Sequence, residues 1–121
     1  MNKKNFSSFI KGFADAWDGL AESLKTQFNI RFHTVATVVA IVLSFVYELS
    51  ATEWCIILLA IAMVWMGELL NTAIEYVVDF ISPEYNPIAG KIKDISAAAV
   101  LIAALASSII GLIIFIPKIL A

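Results

Sequence analysis

Charge is scarce in this sequence. Asp, Glu, Lys and Arg make up 15% of its 121 residues, against 61% apolar residues. Ordinary soluble domains carry about 25% charged and 45–50% apolar residues. A chain this short buries a limited share of its surface, so a water-soluble globule has no interior for so much oil. A lipid solvent removes the conflict. Cysteine occurs once, at Cys55, which excludes a disulfide within the chain. Inside an apolar run and with no histidine near it in sequence, Cys55 reads as a small packed hydrophobe rather than a nucleophile. There is no internal repeat and no low-complexity segment. No cleavable secretory signal is expected, because Met1 to Asn5 is polar and no compact apolar core with a small-residue cleavage site follows. The net charge of -2 says little as a total, and nothing in the chain calls for a nucleic-acid partner. The length fits one domain, residues 1–121.

The apolar residues fall into one amphipathic stretch and three long runs. Phe6, Phe9, Ile10, Phe13, Trp17, Leu20 and Leu24 recur at steps of three and four, with Lys11, Asp15, Asp18 and Glu22 on other faces. That spacing predicts an amphipathic helix over about 6–24. Because a membrane-entering run follows, it is expected to lie at the bilayer surface. The first span is expected near 32–49 and the second over 54–81. The third is expected over 93–116, uncharged from Ile95 to Ile116. About 20 residues are needed to cross about 30 Å of hydrocarbon. The fold class is therefore all-α, an integral membrane protein with an N-terminal surface helix and three transmembrane helices. Glu48 to Glu53 forms a short polar connection in which Ser50 or Thr52 can cap the second helix. Ser82-Pro-Glu-Tyr-Asn-Pro-Ile-Ala-Gly90, with two prolines and a glycine, is expected to break the helix.

Orientation follows from the basic residues. Lys3, Lys4, Lys11, Lys25 and Arg31 precede the first span, and Lys91 and Lys93 belong to the second connection. Lys118 alone lies at the opposite end, so seven of the eight basic residues share one side. By the positive-inside rule that side is cytoplasmic. The expected location is the cytoplasmic membrane, multi-pass, with the N-terminus and any site at the second connection facing the cytosol.

Chemistry concentrates on the second span. Glu68, Asn71, Glu75 and Asp79 are spaced three, four and four, which puts them on one helical face with Thr72 beside them. A carboxylate inside an apolar helix costs about 2.5–3.5 kcal/mol on insertion scales. Interhelical glue is made more cheaply from Asn, Ser or Thr, so aligned carboxylates point to a divalent cation, a proton relay or a general base. At the start of the third span, Lys91, Lys93 and Asp94 follow Gly90. A helix start with lysine beside it suits an anion. Carboxylates opposite a basic helix start, at a membrane surface, fit phosphate-plus-metal chemistry. The alternatives are a non-enzymatic cation or proton carrier and a structural membrane oligomer. A carrier needs a polar route across the bilayer. Trp54 to Gly67 is oily, and beyond Ser96 at its start the third span offers only Ser107 and Ser108. Ala99, Ala103, Ser107 and Gly111, four apart throughout, read as a close-packing stripe.

Glu68-Leu-Leu-Asn-Thr-Ala-Ile-Glu75, Val-Val-Asp79, Lys93-Asp94 and Ala97-Ala-Ala-Val-Leu together resemble the signature of prokaryotic diacylglycerol and undecaprenol kinases. Trp17-Asp-Gly-Leu20 and Asn29-Ile-Arg-Phe-His33 are similar to that family as well. The resemblance covers nearly the whole chain. It implies a homotrimer with active sites shared between neighbours, and transfer of the γ-phosphate of ATP to the hydroxyl of undecaprenol or diacylglycerol, with Mg²⁺. It implies Glu68 as general base and Glu75 as a metal-binding carboxylate. Asn71, Lys93 and Asp94 match polar active-site positions, and Glu84 and Asn86 lie where the family contacts the nucleotide. Two positions depart from the pattern. Gln27 stands where the family has a metal-binding glutamate. Ser8 stands where the proteobacterial type has an arginine that meets ATP, with Lys11 one turn on able to supply the charge. Asn29 to His33 and Phe115-Ile-Pro-Lys118 differ from the proteobacterial branch, which favours undecaprenol.

Overall fold

The structure, a computed structural model, describes residues 2–121. These form four helices: α1 Lys3–Thr26, α2 Phe28–Val46, α3 Ala51–Ile81 and α4 Pro87–Leu120. The chain is all-helical, and α2, α3 and α4 are each long and apolar enough to cross a membrane. It is a multi-pass membrane protein.

The ends of the helices are written in local chemistry. Asn2 caps α1, its side-chain oxygen accepting from the Asn5 amide at 2.8 Å. Phe6, Phe9, Ile10, Phe13 and Trp17 stay exposed on α1, as a helix lying on a lipid surface requires. At Gln27 the backbone turns extended for one residue. Arg31, one turn into α2, reaches back to the carbonyls that end α1. Its Nε donates to Leu24 O at 3.0 Å and its Nη2 donates to Lys25 O, satisfying acceptors left over at a helix end.

The α2–α3 connection is tighter than the sequence pattern suggests. α2 stops at Val46 because Glu48 takes a left-handed conformation, φ 50°. The Glu48 amide donates to Phe45 O at 3.2 Å and the Leu49 amide to Ser44 O at 3.1 Å. This pair of bonds closes a helix C-terminus in the Schellman manner, normally with glycine at the left-handed position. Leu49 is thereby folded in to form a small core with Ile57 and Phe115, against which Leu43 packs. Ser50 then caps α3 in a reciprocal box with Glu53, of the kind that satisfies two free amides at once.

Between α3 and α4 the break is shorter than the whole 82–90 stretch. Pro87 and Gly90 are helical, and α4 starts at Pro87 with Asn86 as its cap. Proline at the first helical position loses no internal bond, since its missing amide would have had no partner there. The lysines therefore sit inside α4 rather than at its tip. Lys93 lies about 9 Å along the axis from Pro87, at 1.5 Å per residue.

α3 and α4 pack antiparallel along nearly their full length. At one end Lys93 Nζ meets Asp79 Oδ1 at 2.5 Å. In the middle the Gly67 backbone approaches Val100 and Ala103. Further on, Ser107 Oγ donates to Ala60 O at 3.0 Å, and at the opposite end Lys118 Nζ lies 3.2 Å from Glu53. The small residues Ala103 and Ser107 thus serve contact with this chain's own α3, which lets the backbones close up. Most large apolar side chains of α2 and α4 face outward, a surface suited to lipid or to neighbouring helices.

Candidate active site

The polar stripe of α3 is buried at its deep end and opens toward the α3–α4 loop. Glu68 is 3% exposed, Asn71 and Thr72 are also buried, Glu75 is half-buried and Asp79 is exposed. Each member has a distinct partner. Glu68 Oε1 lies 2.9 Å from His33 Nε2 on α2. Asn71 Nδ2 donates to Glu75 Oε1 at 3.2 Å. Asp79 is held by Lys93. The other amide atom of Asn71, Oδ1, is buried with no hydrogen-bond partner. A buried acceptor without a partner is uncommon and calls for an explanation, a bound ion or water among them.

A second contact, one turn along, braces the first. Trp65 Nε1 donates to Thr37 Oγ1 at 2.9 Å, and the Thr37 hydroxyl donates to the carbonyl of His33 at 2.7 Å. The two cross-helix pairs, Thr37 with Trp65 and His33 with Glu68, run in opposite directions along their helices, as antiparallel neighbours do. Beside them opens a cleft of about 300 Å³ between α2, α3 and α4, lined by Thr37, Ala60, Gly111 and Phe115 among others. His33 lines this cleft as well.

The remaining sequence candidates are scattered. Asp94 is exposed on α4, and Lys93 turns to Asp79 rather than to its neighbour. Asn86 spends its side-chain oxygen on the amides of Ile88 and Ala89 at 2.8 and 3.4 Å. Glu84 is exposed in the loop, its carbonyl accepting from Ser82 Oγ. Lys11 is exposed and lies 3.6 Å from Asp15 on its own helix. Gln27 is half-buried at the α1–α2 joint. Among the described residues no three His, Cys, Asp or Glu side chains converge as a ready-made metal cage.

A profile of prokaryotic diacylglycerol kinases matches residues 14–115. The chain belongs to the prokaryotic diacylglycerol kinase family. It is a lipid kinase, a phosphotransferase, and a kinase family implies ATP as the phosphoryl donor. The chain is 42% identical to the undecaprenol kinase of Bacillus subtilis (strain 168) over 117 residues, covering 97% of this chain and 95% of that protein. It is 36% identical to a diacylglycerol kinase of Synechocystis over 115 residues, 94% of this chain and 66% of that protein. It is 34% identical to the diacylglycerol kinase of Escherichia coli K12 over 102 residues, 84% of each.

Sequence reasoning named Glu68, Asn71 and Glu75 for this kinase but missed the α2 side of the site. His33 is the one histidine in the chain, and it lies within the first apolar span. That was the available signal. Its pairing with Glu68, 35 residues away, depends on how two helices align, which no spacing within one helix reveals.

Proposed function

We propose that this kinase transfers the γ-phosphate of ATP to the hydroxyl of undecaprenol, at the cytoplasmic face of the membrane. The observation that carries the reading is the burial of Glu68 at the deep end of a stripe that opens toward the loop end of α3. Glu68 and Glu75 are seven residues apart, about 10 Å along the axis. A lipid hydroxyl arrives from the bilayer side and phosphates arrive from water. Glu68 is therefore placed to take the hydroxyl proton as the oxygen attacks phosphorus and ADP leaves with the electrons of the broken P–O bond. Glu75 and Asn71 serve the phosphate side. Diacylglycerol is the second substrate, supported by the names of the Synechocystis and Escherichia coli relatives.

The donor set fits Mg²⁺. This ion takes hard oxygens, keeps several waters and shares its shell with substrate phosphates. The unpartnered Oδ1 of Asn71 and the half-buried carboxylate of Glu75 are such oxygens, and Gln27 offers a third. When bound, the ion neutralises charge on the transferring phosphoryl group. The Asp79–Lys93 pair, Asp94 and the loop residues Glu84 and Asn86 form the nucleotide side, with Lys11 of the surface helix supplying positive charge. Three subunits complete the site, because one subunit leaves its polar stripe partly uncovered. The placement of basic residues supports a cytoplasmic N-terminus and site.

The test is purified protein in detergent with ATP, Mg²⁺ and a panel of lipid alcohols. Undecaprenol is expected to give the highest kcat/KM, with diacylglycerol lower. A clear preference for diacylglycerol would reverse the substrate order, and phosphorylation of neither would refute the assignment.

A further inference from the structure

We propose that His33 is a positioning residue for Glu68. It holds one carboxylate oxygen so that the other is presented to the substrate hydroxyl. The inference rests on the reading of Glu68 as the base and adds a residue of α2 to the reaction.

An ionised carboxylate only accepts hydrogen bonds, so the imidazole must carry its hydrogen on Nε2 when it meets Glu68 Oε1 at 2.9 Å. No other side-chain hydrogen bond to Glu68 is made among the described residues. Glu68 side-chain exposure is 4% and that of His33 is 16%. The last torsion of a glutamate has no sharp preference of its own, so the orientation of this carboxylate is set by its hydrogen-bond partner. A fixed Oε1 also fixes Oε2, and a base must meet its proton within hydrogen-bond reach.

His33 is itself held. The Thr37 hydroxyl donates to the His33 carbonyl, and Trp65 donates to the Thr37 oxygen. The turn of α2 that carries the imidazole is thus pinned to the α3 turn next to Glu68. His33 also lines the cleft between the three long helices, whereas Glu68 does not. The imidazole therefore touches both the cleft and the carboxylate. This is the arrangement in which a base is oriented by a neighbour that does no chemistry of its own. A plain interhelical clasp would need no such second brace and no place at a cleft wall.

The experiment compares His33→Ala, His33→Met and His33→Gln, alone and combined with Glu68→Gln, in the full-length protein in detergent. Melting temperature and oligomer size are measured for each. His33→Gln keeps an N–H at similar reach, while His33→Met keeps the volume and loses the donor. His33→Ala and His33→Met are expected to lower kcat about 10- to 100-fold, the order by which removing a supporting partner of a metal ligand lowers activity. KM for ATP should stay within about twofold, and His33→Gln should keep kcat within about threefold of wild type. In the Glu68→Gln background His33→Met should cause no further loss, since its target is already gone. If His33→Ala does not fold, the Met and Gln pair carries the same contrast. Equal loss in Met and Gln, wild-type kcat in Met, or a full additional loss in the Glu68→Gln background would each overturn the proposal. A lowered melting temperature with kcat unchanged would also overturn it, leaving only a clasp. Wild-type turnover in Glu68→Gln alone would instead sink the base assignment beneath it.

Discussion

Asn71 gives its amide N–H to Glu75 across 3.2 Å and leaves its buried carbonyl oxygen with no partner. The bond orients the side chain, and the orphan oxygen is then available to a cation. Glu75, one turn nearer the loop, has a second carboxylate oxygen for the same purpose. Gln27, half-buried at the α1–α2 joint, is proposed as a further oxygen donor and, like Asn71, is neutral. Replacing it with glutamate adds attraction for a hard cation. Gln27→Glu is expected to remain active and to reach half-maximal rate at lower Mg²⁺. A large loss of turnover at saturating Mg²⁺ in a titration of the purified variant would show that Gln27 has another part.

Glu48 sits where backbone geometry asks for glycine. Its φ of 50° closes α2, and a side chain in that region costs about 1–2 kcal/mol that glycine avoids. Glu48→Gly should therefore raise the melting temperature in detergent, by an amount equivalent to about 1 kcal/mol, with kcat unchanged. The gain is partly offset by the greater freedom of glycine in the unfolded chain. A lowered melting temperature would show that the Glu48 side chain makes a stabilising contact.

Activity should require assembly. The outward faces of α2 and α4 are apolar, and Glu75 and Asp79 are left partly open by a single subunit. A carboxylate facing hydrocarbon is costly, and a neighbour's surface helix can cover it. A trimer is expected by light scattering in mild detergent, with turnover lost as subunits separate. Full turnover from a demonstrated monomer would contradict this.

The helices were legible because their signals are local. Steps of three and four along 6–24 and three oily runs require nothing beyond one helix, and the cap at Ser50 follows from a short polar residue before an apolar run. The stripe Glu68, Asn71, Glu75 was legible for the same reason. What was hidden depends on pairing across helices. Lys93 reaches Asp79, fourteen residues back, rather than forming a unit with Asp94. His33 reaches Glu68 across the α2–α3 interface. Proline breaks a helix interior, which groups Pro87 with the loop on sequence grounds, yet at a first turn it begins a helix. Glu48 gave no warning, since left-handed positions are usually announced by glycine or asparagine.

The central claim is the division of labour between Glu68 and Glu75, and it is tested most directly by kinetics on Glu68→Gln and Glu75→Gln, with Mg²⁺, ATP and lipid titrated separately. A lost general base costs about 10²–10⁴-fold in rate. Glu68→Gln is expected to lower kcat by that order with Mg²⁺ and ATP dependence little changed, while Glu75→Gln raises the Mg²⁺ and ATP needed. If both variants recovered wild-type kcat at high Mg²⁺, Glu68 would be a metal ligand and the account of the base would be wrong.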